Sequence, residues 1–373
     1  MKVVVVQPVI THYDLDFWNA VILEKDVESL VVFADLKKNS LLNKFDESNC
    51  NFKVEHLPEK KFMGLVIRPG LLSKLKKYKS YEVVFNSSPR EITQVFSMFI
   101  RKMLRKKNYS WGMFHSIGPS DFFRSTIFKT YAILSDNCLV YSKRGALHLS
   151  SLGIPASKIS IVGTALNTTN IQNLRNEFTN FDLDVFKKKH GLINKKVVLL
   201  VVRLSKIKRL NLLIDAAAKV IQSDSDYNFV LIGDGEDKEE LQRQVLNFGL
   251  ENSIHFKGAI YDEIELAPWF LISDIFAIPT CIGLSAHHSL AYGLPIITDD
   301  SLTTQASEVD VLFQGYNCCF YSEGDTADFA KNIESFTNEV IKNKEYYKKN
   351  CMNTVDKTFT FQNKVKSFIY AIK

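Results

Sequence analysis

The 373-residue sequence has no uncharged apolar run of the roughly 18 residues that a membrane-spanning helix needs. Its six cysteines contain no Cys-x-x-Cys pair, so neither structural zinc nor disulfides are expected. The amino terminus, MKVVVVQPVI, has too short an apolar core for a signal peptide and is better explained as a buried strand. These absences predict a protein of the reducing cytoplasm.

The sequence also has no low-complexity segment. Its content of 46% hydrophobic and 24% charged residues is typical of a globular protein. The length favours two domains over one core. Short β-branched or aromatic runs alternate with amphipathic segments along the whole chain, which predicts βαβ units, parallel sheets and an α/β fold. The predicted strands are 3–6, 30–33, 65–67, 83–85, 111–114, 138–141, 159–162, 197–202, 229–232, 254–256, 275–278, 296–298 and 311–313.

A polar, asparagine-rich connector at 167–180 predicts a domain boundary. We therefore expect one Rossmann-like domain over 1–170 and a second over 171–353, with helical segments at 326–343 and 354–372. Gly233-Asp234-Gly235 follows a strand, but Lys238 stands where a dinucleotide fingerprint would need its third glycine. An NAD site is therefore disfavoured.

Basic charge is concentrated in the first half. Residues 51–150 hold 18 Lys and Arg against 6 Asp and Glu, whereas residues 251–300 hold 1 against 7. The cationic runs at 72–79 and 100–107 adjoin apolar residues, a pattern that attracts anionic lipid surfaces. A solvated helix face explains the same runs equally well. No recognised motif supports nucleic acid as a partner.

The stretch 275–300 has the order strand, glycine turn, helix, strand, one crossover unit of a parallel sheet. Ligands of such sheets lie at the carboxyl ends of the strands, and a helix amino terminus there offers unpaired N–H groups to a phosphate. This stretch is the first candidate for an active site.

Several motifs occur in order around it: VVLLVVRLSKIKRLNLLIDAAAKV, NFVLIGDGEDKEELQ, SIHFKGAI and SDIFAIPTCIGLSAHHSLAYGLPIIT. They resemble the carboxyl-terminal domain of retaining GT-B glycosyltransferases of family 4 (glycosyltransferase group 1). More loosely, VVQPVITHYDLDFWNAV, YSWGMFHSIGPS and LVYSKRGALHLSSLGIPASKISIVGTALNT resemble the amino-terminal domain of surface-polysaccharide members. The resemblance implies two Rossmann-like domains facing across a cleft, with 354–373 crossing back to the first.

The resemblance assigns the family's arginine and lysine to Arg203 and Lys208. Two cations at the end of a strand suit a diphosphate leaving group, whose growing negative charge they would stabilise. Surface cations without a ligand are the alternative, since Lys206 and Arg209 lie close in the sequence.

In the same way, Gly283, Leu284 and Ser285 match the turn whose N–H groups receive the donor phosphates. Gly283 would otherwise only permit a tight turn. Gly258 matches the glycine beside which the nucleotide base packs.

The chain departs from the family at the two glutamates eight positions apart, because Thr280 and His288 occupy those positions. A neutral His288 can still hydrogen-bond a ribose hydroxyl, and Thr280 a sugar hydroxyl. His288 could equally be a helix residue paired with a neighbour.

In the first domain the acceptor side would be lined by Thr11, His12 and Tyr13 of the first loop and by His115. His115 lies two positions beyond the family's histidine, which aligns with Met113, so a core histidine is the alternative.

The sequence thus predicts a nucleotide-sugar-dependent hexosyltransferase that acts with retention on a hydroxyl of a lipid-linked or surface glycan. A UDP- or GDP-sugar would be the co-substrate, with no cofactor. No metal is expected, because the cations Arg203 and Lys208 would take its place at the diphosphate. We expect a cytoplasmic protein, and the inner face of the membrane is a candidate site of its peripheral association. The alternatives are a non-catalytic protein of this fold that binds a glycan or partner, and a nucleotide-sugar epimerase.

Overall fold

A computed structural model describes residues 1–37, 46–118 and 122–373, and the side chain of His12 lies outside this description. The chain divides into two compact units. Unit 1 comprises residues 1–167 and 361–373, and unit 2 comprises residues 168–360.

Unit 1 is built on a parallel sheet with the strand order β3-β2-β1-β6-β7-β8-β9. A separate antiparallel hairpin pairs β4 with β5. The strands are β1 (Lys2–Val6), β2 (Ser29–Ala34), β3 (Lys53–His56), β4 (Lys60–Phe62), β5 (Leu65–Ile67), β6 (Glu82–Asn86), β7 (Asn108–Gly112), β8 (Asn137–Val140) and β9 (Ile159–Ile161).

Successive valines of β1 enter different cores, because side chains of a strand alternate between the faces of the sheet. Val3 and Val5 belong to one apolar cluster, and Val4 and Val6 to the other. Both faces are therefore covered, which is the doubly wound arrangement. The helices are α1 (His12–Leu23), α2 (Leu71–Lys77), α3 (Ile92–Met103), α4 (Phe122–Leu134) and α5 (Lys143–Ser151).

The chain returns to unit 1 through a helix at residues Phe361–Ile372. Its Phe368 is fully buried and packs its ring against Trp18 and Trp111, with centroid distances of 5.4 and 5.0 Å. Aromatic pairs at such distances add to the stabilisation from burial. This helix is therefore part of the core of unit 1.

Unit 2 has the parallel order β12-β11-β10-β13-β14-β15, the order of a dinucleotide-binding sheet. Its strands are β10 (Lys196–Val201), β11 (Tyr227–Ile232), β12 (Ile254–Gly258), β13 (Ile275–Ala277), β14 (Ile296–Asp299) and β15 (Cys318–Tyr321). The helices of unit 2 are α6 (Thr169–Glu177), α7 (Asn180–Lys189), α8 (Asn211–Ser223), α9 (Lys238–Phe248), α10 (Glu263–Ile272), α11 (Ser285–Ala291), α12 (Thr326–Lys342) and α13 (Lys344–Asn353). The helix Phe361–Ile372 of unit 1 is α14. The predicted α/β class with two Rossmann-like sheets is confirmed.

The strand predicted at 311–313 is wrong. Residues Ser307–Val311 form a 3-10 helix, and the edge strand is β15. The Asn317 side chain explains the difference, because it accepts from the N–H of Phe313 at 2.8 Å and donates to the carbonyl of Val311 at 2.9 Å. These bonds fold the apolar run into a turn.

Three further elements differ from prediction. The strand at 65–67 pairs with β4 in the hairpin, outside the seven-stranded sheet, and Val66 also bridges to Glu91. The strand predicted at 111–114 ends at Gly112, since Phe114 has a left-handed φ of 55° that a strand cannot contain. The helix predicted at 354–372 is interrupted between the π-helical turn Thr354–Thr358 and α14. None of the helices that the structure describes is both long and apolar enough to span a bilayer.

Candidate functional site

The first predicted cation, Arg203, follows β10 at the carboxyl edge of the unit 2 sheet. Its side chain is 74% exposed, and its guanidinium donates to the Glu236 carboxylate at 3.3 Å. An exposed ion pair of this kind contributes little to stability. Arg203 can therefore exchange Glu236 for an anionic ligand at small cost.

Tight packing of two backbone segments holds this edge in place. A Cβ on Gly233 would lie 1.8 Å from the Val202 carbonyl oxygen, and one on Gly235 would lie 2.0 Å from that of Leu204. Only glycine allows this approach. The Gly-Asp-Gly turn thus packs directly against the segment that carries Arg203.

The second predicted cation, Lys208, ends a 3-10 turn and extends to the loop after β13. Its Nζ donates to the carbonyl of Cys281 and lies 3.9 Å from the point that a Cβ on Gly283 would occupy. The structure therefore brings together two site elements that the sequence separates, Lys208 and the Gly283 turn.

Helix α11 begins directly after this turn, at Ser285. The Ser285 hydroxyl donates to the Val201 carbonyl at 2.9 Å, which ties the start of the helix to the end of β10. Leu284 is the residue before the helix and is half-buried. Because the first N–H groups of a helix have no intrahelical acceptor, this end can receive an anion beside Lys208.

Gly258 ends β12 with a left-handed φ of 72° and accepts from the N–H of Gly233 at 2.8 Å. A Cβ on it would meet no atom within 4 Å, so the space beside this residue is open.

Thr280 is only 2% exposed and lies beside the buried carboxylate of Asp299. Burial raises the pKa of Asp299, and the nearby Thr280 hydroxyl acts against that shift. Gln305 donates to the same carboxylate at 2.8 Å. In this structure Thr280 therefore contacts the interior of unit 2.

His288 has a partner that sequence reasoning missed. Its Nε2 donates at 2.8 Å to the carboxylate of Glu263, the first residue of α10, and the Tyr292 hydroxyl donates to the same oxygen at 2.6 Å. The side chains of His288 and Glu263 are 17% and 26% exposed, so solvent reaches the pair. Burial and the Glu263 charge raise the pKa of Tyr292, which keeps it protonated. A carboxylate therefore lies beside the non-acidic position 288.

Glu263 could have been suspected from the acidic balance of residues 251–300. No local motif, however, joins it to His288, which lies on another helix.

In unit 1, Thr11 caps helix α1. Its hydroxyl donates to Asp14 at 2.7 Å, and the N–H of Asp14 donates back to it at 3.3 Å. Tyr13 is 37% exposed, and the predicted role of the His12 side chain falls outside the described residues.

A cavity of about 180 Å³ opens next to this cap, at the carboxyl ends of β1, β6 and β7. It is lined by Val5, Gln7, Pro8, Val9, Asp14, Val84, Asn86, Trp111 and Tyr141. The Trp111 Nε1–H is buried and meets no acceptor among the described residues. A buried donor of this kind favours a ligand that brings an acceptor oxygen.

His115 lies in the loop after β7 and is 5% exposed. Its Nδ1 donates to the Met113 carbonyl at 3.0 Å, and its buried Nε2 has no protein partner in the described part of the chain. Burial, with the charges of Arg144 and His148, lowers the pKa of His115 to about 3. The imidazole is therefore neutral at physiological pH, with Nε2 as an acceptor.

Within residues 1–37, 46–118 and 122–373, no three His, Cys, Asp or Glu side chains are grouped so as to hold a metal ion.

Comparison with known proteins finds a match to a family model within unit 2. Residues 183–351 match the family model described as glycosyl transferases group 1. This segment contains Arg203, Lys208, the Gly283 turn and the Glu263–His288 pair.

A curated relative, the α-monoglucosyldiacylglycerol synthase of Acholeplasma laidlawii, is 28% identical over 127 residues. The alignment covers 33% of this chain and 32% of that protein, so the chain spans about a third of the relative's length.

Solved structures resemble the whole chain. Anabaena HepE in complex with UDP is 17% identical, with a TM-score of 0.75 and 99% coverage of both chains. A glycosyltransferase from Rickettsia africae is 14% identical, with a TM-score of 0.75 and coverage of 100% of this chain and 97% of that one. These neighbours are GT-B glycosyltransferases. The family model thus matches residues 183–351, and the solved structures share the fold of the whole chain.

Proposed function

We propose that this protein is a retaining glycosyltransferase that moves a hexosyl unit from a nucleotide diphosphate sugar to a hydroxyl of a lipid-linked or surface glycan. The observation that carries the proposal is the contact of Lys208 with the Gly283 turn, within the segment matched by the family model. A cation and the open end of a helix side by side form a site for a diphosphate.

In this mechanism the diphosphate binds beside Lys208 and draws Arg203 away from Glu236. Both cations stabilise the negative charge that develops on the leaving oxygen as the bond to the sugar breaks. The acceptor hydroxyl attacks from the same face of the sugar, and its proton passes to the leaving phosphate, so the configuration is retained. Positive charge on the sugar is spread over an oxocarbenium-like state.

The nucleotide would extend from the diphosphate towards Gly258, where the space beside the strand end is open. We propose that Glu263, held by His288 and Tyr292, accepts hydrogen bonds from the ribose hydroxyls. A carboxylate has enough lone pairs to bind two adjacent hydroxyls while it keeps its protein partners. Glu263 would thereby supply the acidic group that is missing at position 288.

Neighbours whose structures contain UDP, UDP with glucose, or UDP-glucose favour UDP over GDP as the nucleotide. For the acceptor we propose the unit 1 cavity, where the Trp111 indole N–H would donate to an acceptor oxygen. Thr11, His12, Tyr13 and His115 stay candidates for the acceptor side, and Thr280 for the donor side. The protein would work in the cytoplasm.

The test is a donor screen with UDP- and GDP-sugars, measuring affinity by calorimetry, then donor hydrolysis and transfer to lipid-linked oligosaccharides. Arg203→Ala and Lys208→Ala should each lower kcat/KM by at least about 100-fold, as expected when a group that stabilises the transition state is removed. Lys206→Ala is the matched control, an exposed lysine of the same turn, and should retain activity. Equal rates for all three variants would contradict the proposed site.

A non-catalytic protein that binds a nucleotide sugar, glycan or partner is the second candidate, because both family glutamates are replaced, by Thr280 and His288. Tight donor binding without hydrolysis or transfer to any acceptor would favour it over the enzyme.

A further inference from the structure

Helix α3 is oriented with its polar side towards the interior of unit 1. Gln94, Ser97 and Arg101 are buried, with exposed fractions of 0%, 0% and 6%. The large apolar side chains point outward, and their exposed fractions are 51% for Ile92, 54% for Phe96, 50% for Phe99 and 71% for Met103. Three- and four-residue spacing puts these four on one face of the helix. We call them the α3 stripe.

Buried polar contacts fix this orientation at both ends. At the carboxyl end, Arg101 donates through Nε to Asn108 at 3.0 Å and through NH2 to the Lys107 carbonyl at 2.8 Å. At the amino end, Glu91 accepts from Arg68, which is fully buried, at 2.6 Å. Turning the stripe inward would break these contacts and take from fully buried Arg68 one of its two carboxylate partners, which is unfavourable.

Neighbouring elements extend the apolar surface. The hairpin packs against α3 through β5 and presents Phe62 and Met63, which are 64% and 87% exposed. Helix α4 also packs against α3 and begins with Phe122 and Phe123, which are 89% and 60% exposed. Exposed apolar groups in such number are unusual for a free surface and indicate an interaction site.

Cations surround the stripe. Lys102, Arg105, Lys106 and Lys107 are exposed at the carboxyl end of α3, and Lys60 and Lys61 lie on the hairpin. Two nearby acidic groups point inward, since Glu59 and Glu91 are both paired with buried Arg68. Asp136 is exposed and accepts from the N–H of Asn108 at 2.8 Å. Among the described residues, cations therefore outnumber exposed acidic groups at the rim.

From this geometry we propose that the α3 stripe and its cationic rim form the docking surface of this protein for an anionic lipid bilayer. Exposed Phe and Met side chains can enter the headgroup boundary while lysines and arginines meet the lipid phosphates. A second copy of the chain is disfavoured as occupant, because the same surface on both partners would oppose like charges. The inference concerns unit 1 alone and does not depend on the transferase proposal.

The test is flotation of the full chain with vesicles of phosphatidylcholine alone or mixed with phosphatidylglycerol, at low and high salt. The native protein should bind the anionic vesicles, and less at high salt. A Phe96→Ser, Phe99→Ser double variant should lose at least about 10-fold in binding, because its apolar anchors are gone. Its matched control is Phe181→Ser, Phe248→Ser, which removes two exposed phenylalanines from unit 2.

A triple variant, Arg105→Gln, Lys106→Gln, Lys107→Gln, should lose about 5-fold per cation at low salt. Lys187→Gln, Lys188→Gln, Lys189→Gln in α7 is its control. Donor affinity, measured on the same proteins, should not change. No binding of the native protein to anionic vesicles would overturn the proposal, and so would equal losses in the stripe variant and its control. A concentration-dependent dimer that only the stripe variant loses, without vesicle binding, would assign the surface to a second copy instead.

Discussion

His288 donates a 2.8 Å hydrogen bond to Glu263, a residue 25 positions earlier in the chain and on a different helix. Glu263 begins α10 after the loop that follows β12, and His288 lies in α11, which follows β13. Their contact puts a carboxylate at the edge of the sheet where nucleotides bind in such folds.

Replacing Glu263→Gln keeps the size of the side chain but removes its charge. We expect the affinity for a UDP-sugar to fall about 10-fold, because a charged acceptor makes stronger hydrogen bonds than a neutral one. Calorimetric titration measures the change. Glu265→Gln, an exposed carboxylate on the same helix, is the control and should bind normally. If both variants bind alike, Glu263 is not a nucleotide ligand.

The Gly-Asp-Gly turn gives a second prediction. Gly233→Ala should lower the free energy of unfolding by about 2 kcal/mol or more, because the new Cβ would lie 1.8 Å from the Val202 carbonyl oxygen. Gly249→Ala, at a left-handed helix end where a Cβ meets nothing within 4 Å, should cost only about 1 kcal/mol. Thermal denaturation of both variants checks the order, and a reversed order would contradict the close packing.

A third prediction concerns acid stability. The pKa of His115 is about 3 in the folded protein against about 6.5 in an unfolded chain, so between these values the unfolded state binds more protons. The stability due to the neutral imidazole is complete above pH 6.5 and is lost as pH falls towards 3. Lowering the pH from 7.5 to 5 should therefore cost the native protein about 2 kcal/mol more than His115→Gln.

Urea denaturation followed by tryptophan fluorescence measures this difference. In a Trp269→Phe background the remaining tryptophans, Trp18 and Trp111, both lie in unit 1 and report its unfolding. Identical pH dependence of the two proteins would mean that His115 is not held neutral.

Much of the fold could be predicted from the sequence because buried parallel strands are continuous apolar runs, such as Val3–Val6 or Val197–Val201. The edge strands β3 and β15 have no continuous run of aliphatic residues and could not be predicted in this way. Lys53–His56 alternates polar residues and was missed, and β15 begins with two cysteines. Local composition cannot identify such an edge strand, which pairs with only one neighbouring strand.

The orientation of helix α3 could not be predicted from its sequence. Ile92, Phe96, Phe99 and Met103 have the three- and four-residue spacing of an amphipathic helix, and this spacing alone would turn them towards the core. The contacts of Glu91 with Arg68 and of Arg101 with Asn108 hold the polar side of the helix inward instead.

Only those parts of the candidate site that belong to local sequence motifs could be predicted. Lys208 and Gly283 each belong to a local motif, whereas Glu263 acquires its position only when α10 and α11 pack together.

The aromatic packing of α14 affects the order in which the protein can fold during its synthesis. Residues 361–373 complete the core of unit 1 but leave the ribosome after all of unit 2, which is one uninterrupted segment, 168–360. Until Phe368 emerges, the space between Trp18 and Trp111 in unit 1 stays unfilled. The first half of the chain therefore completes its core only after the whole of unit 2 has been synthesised.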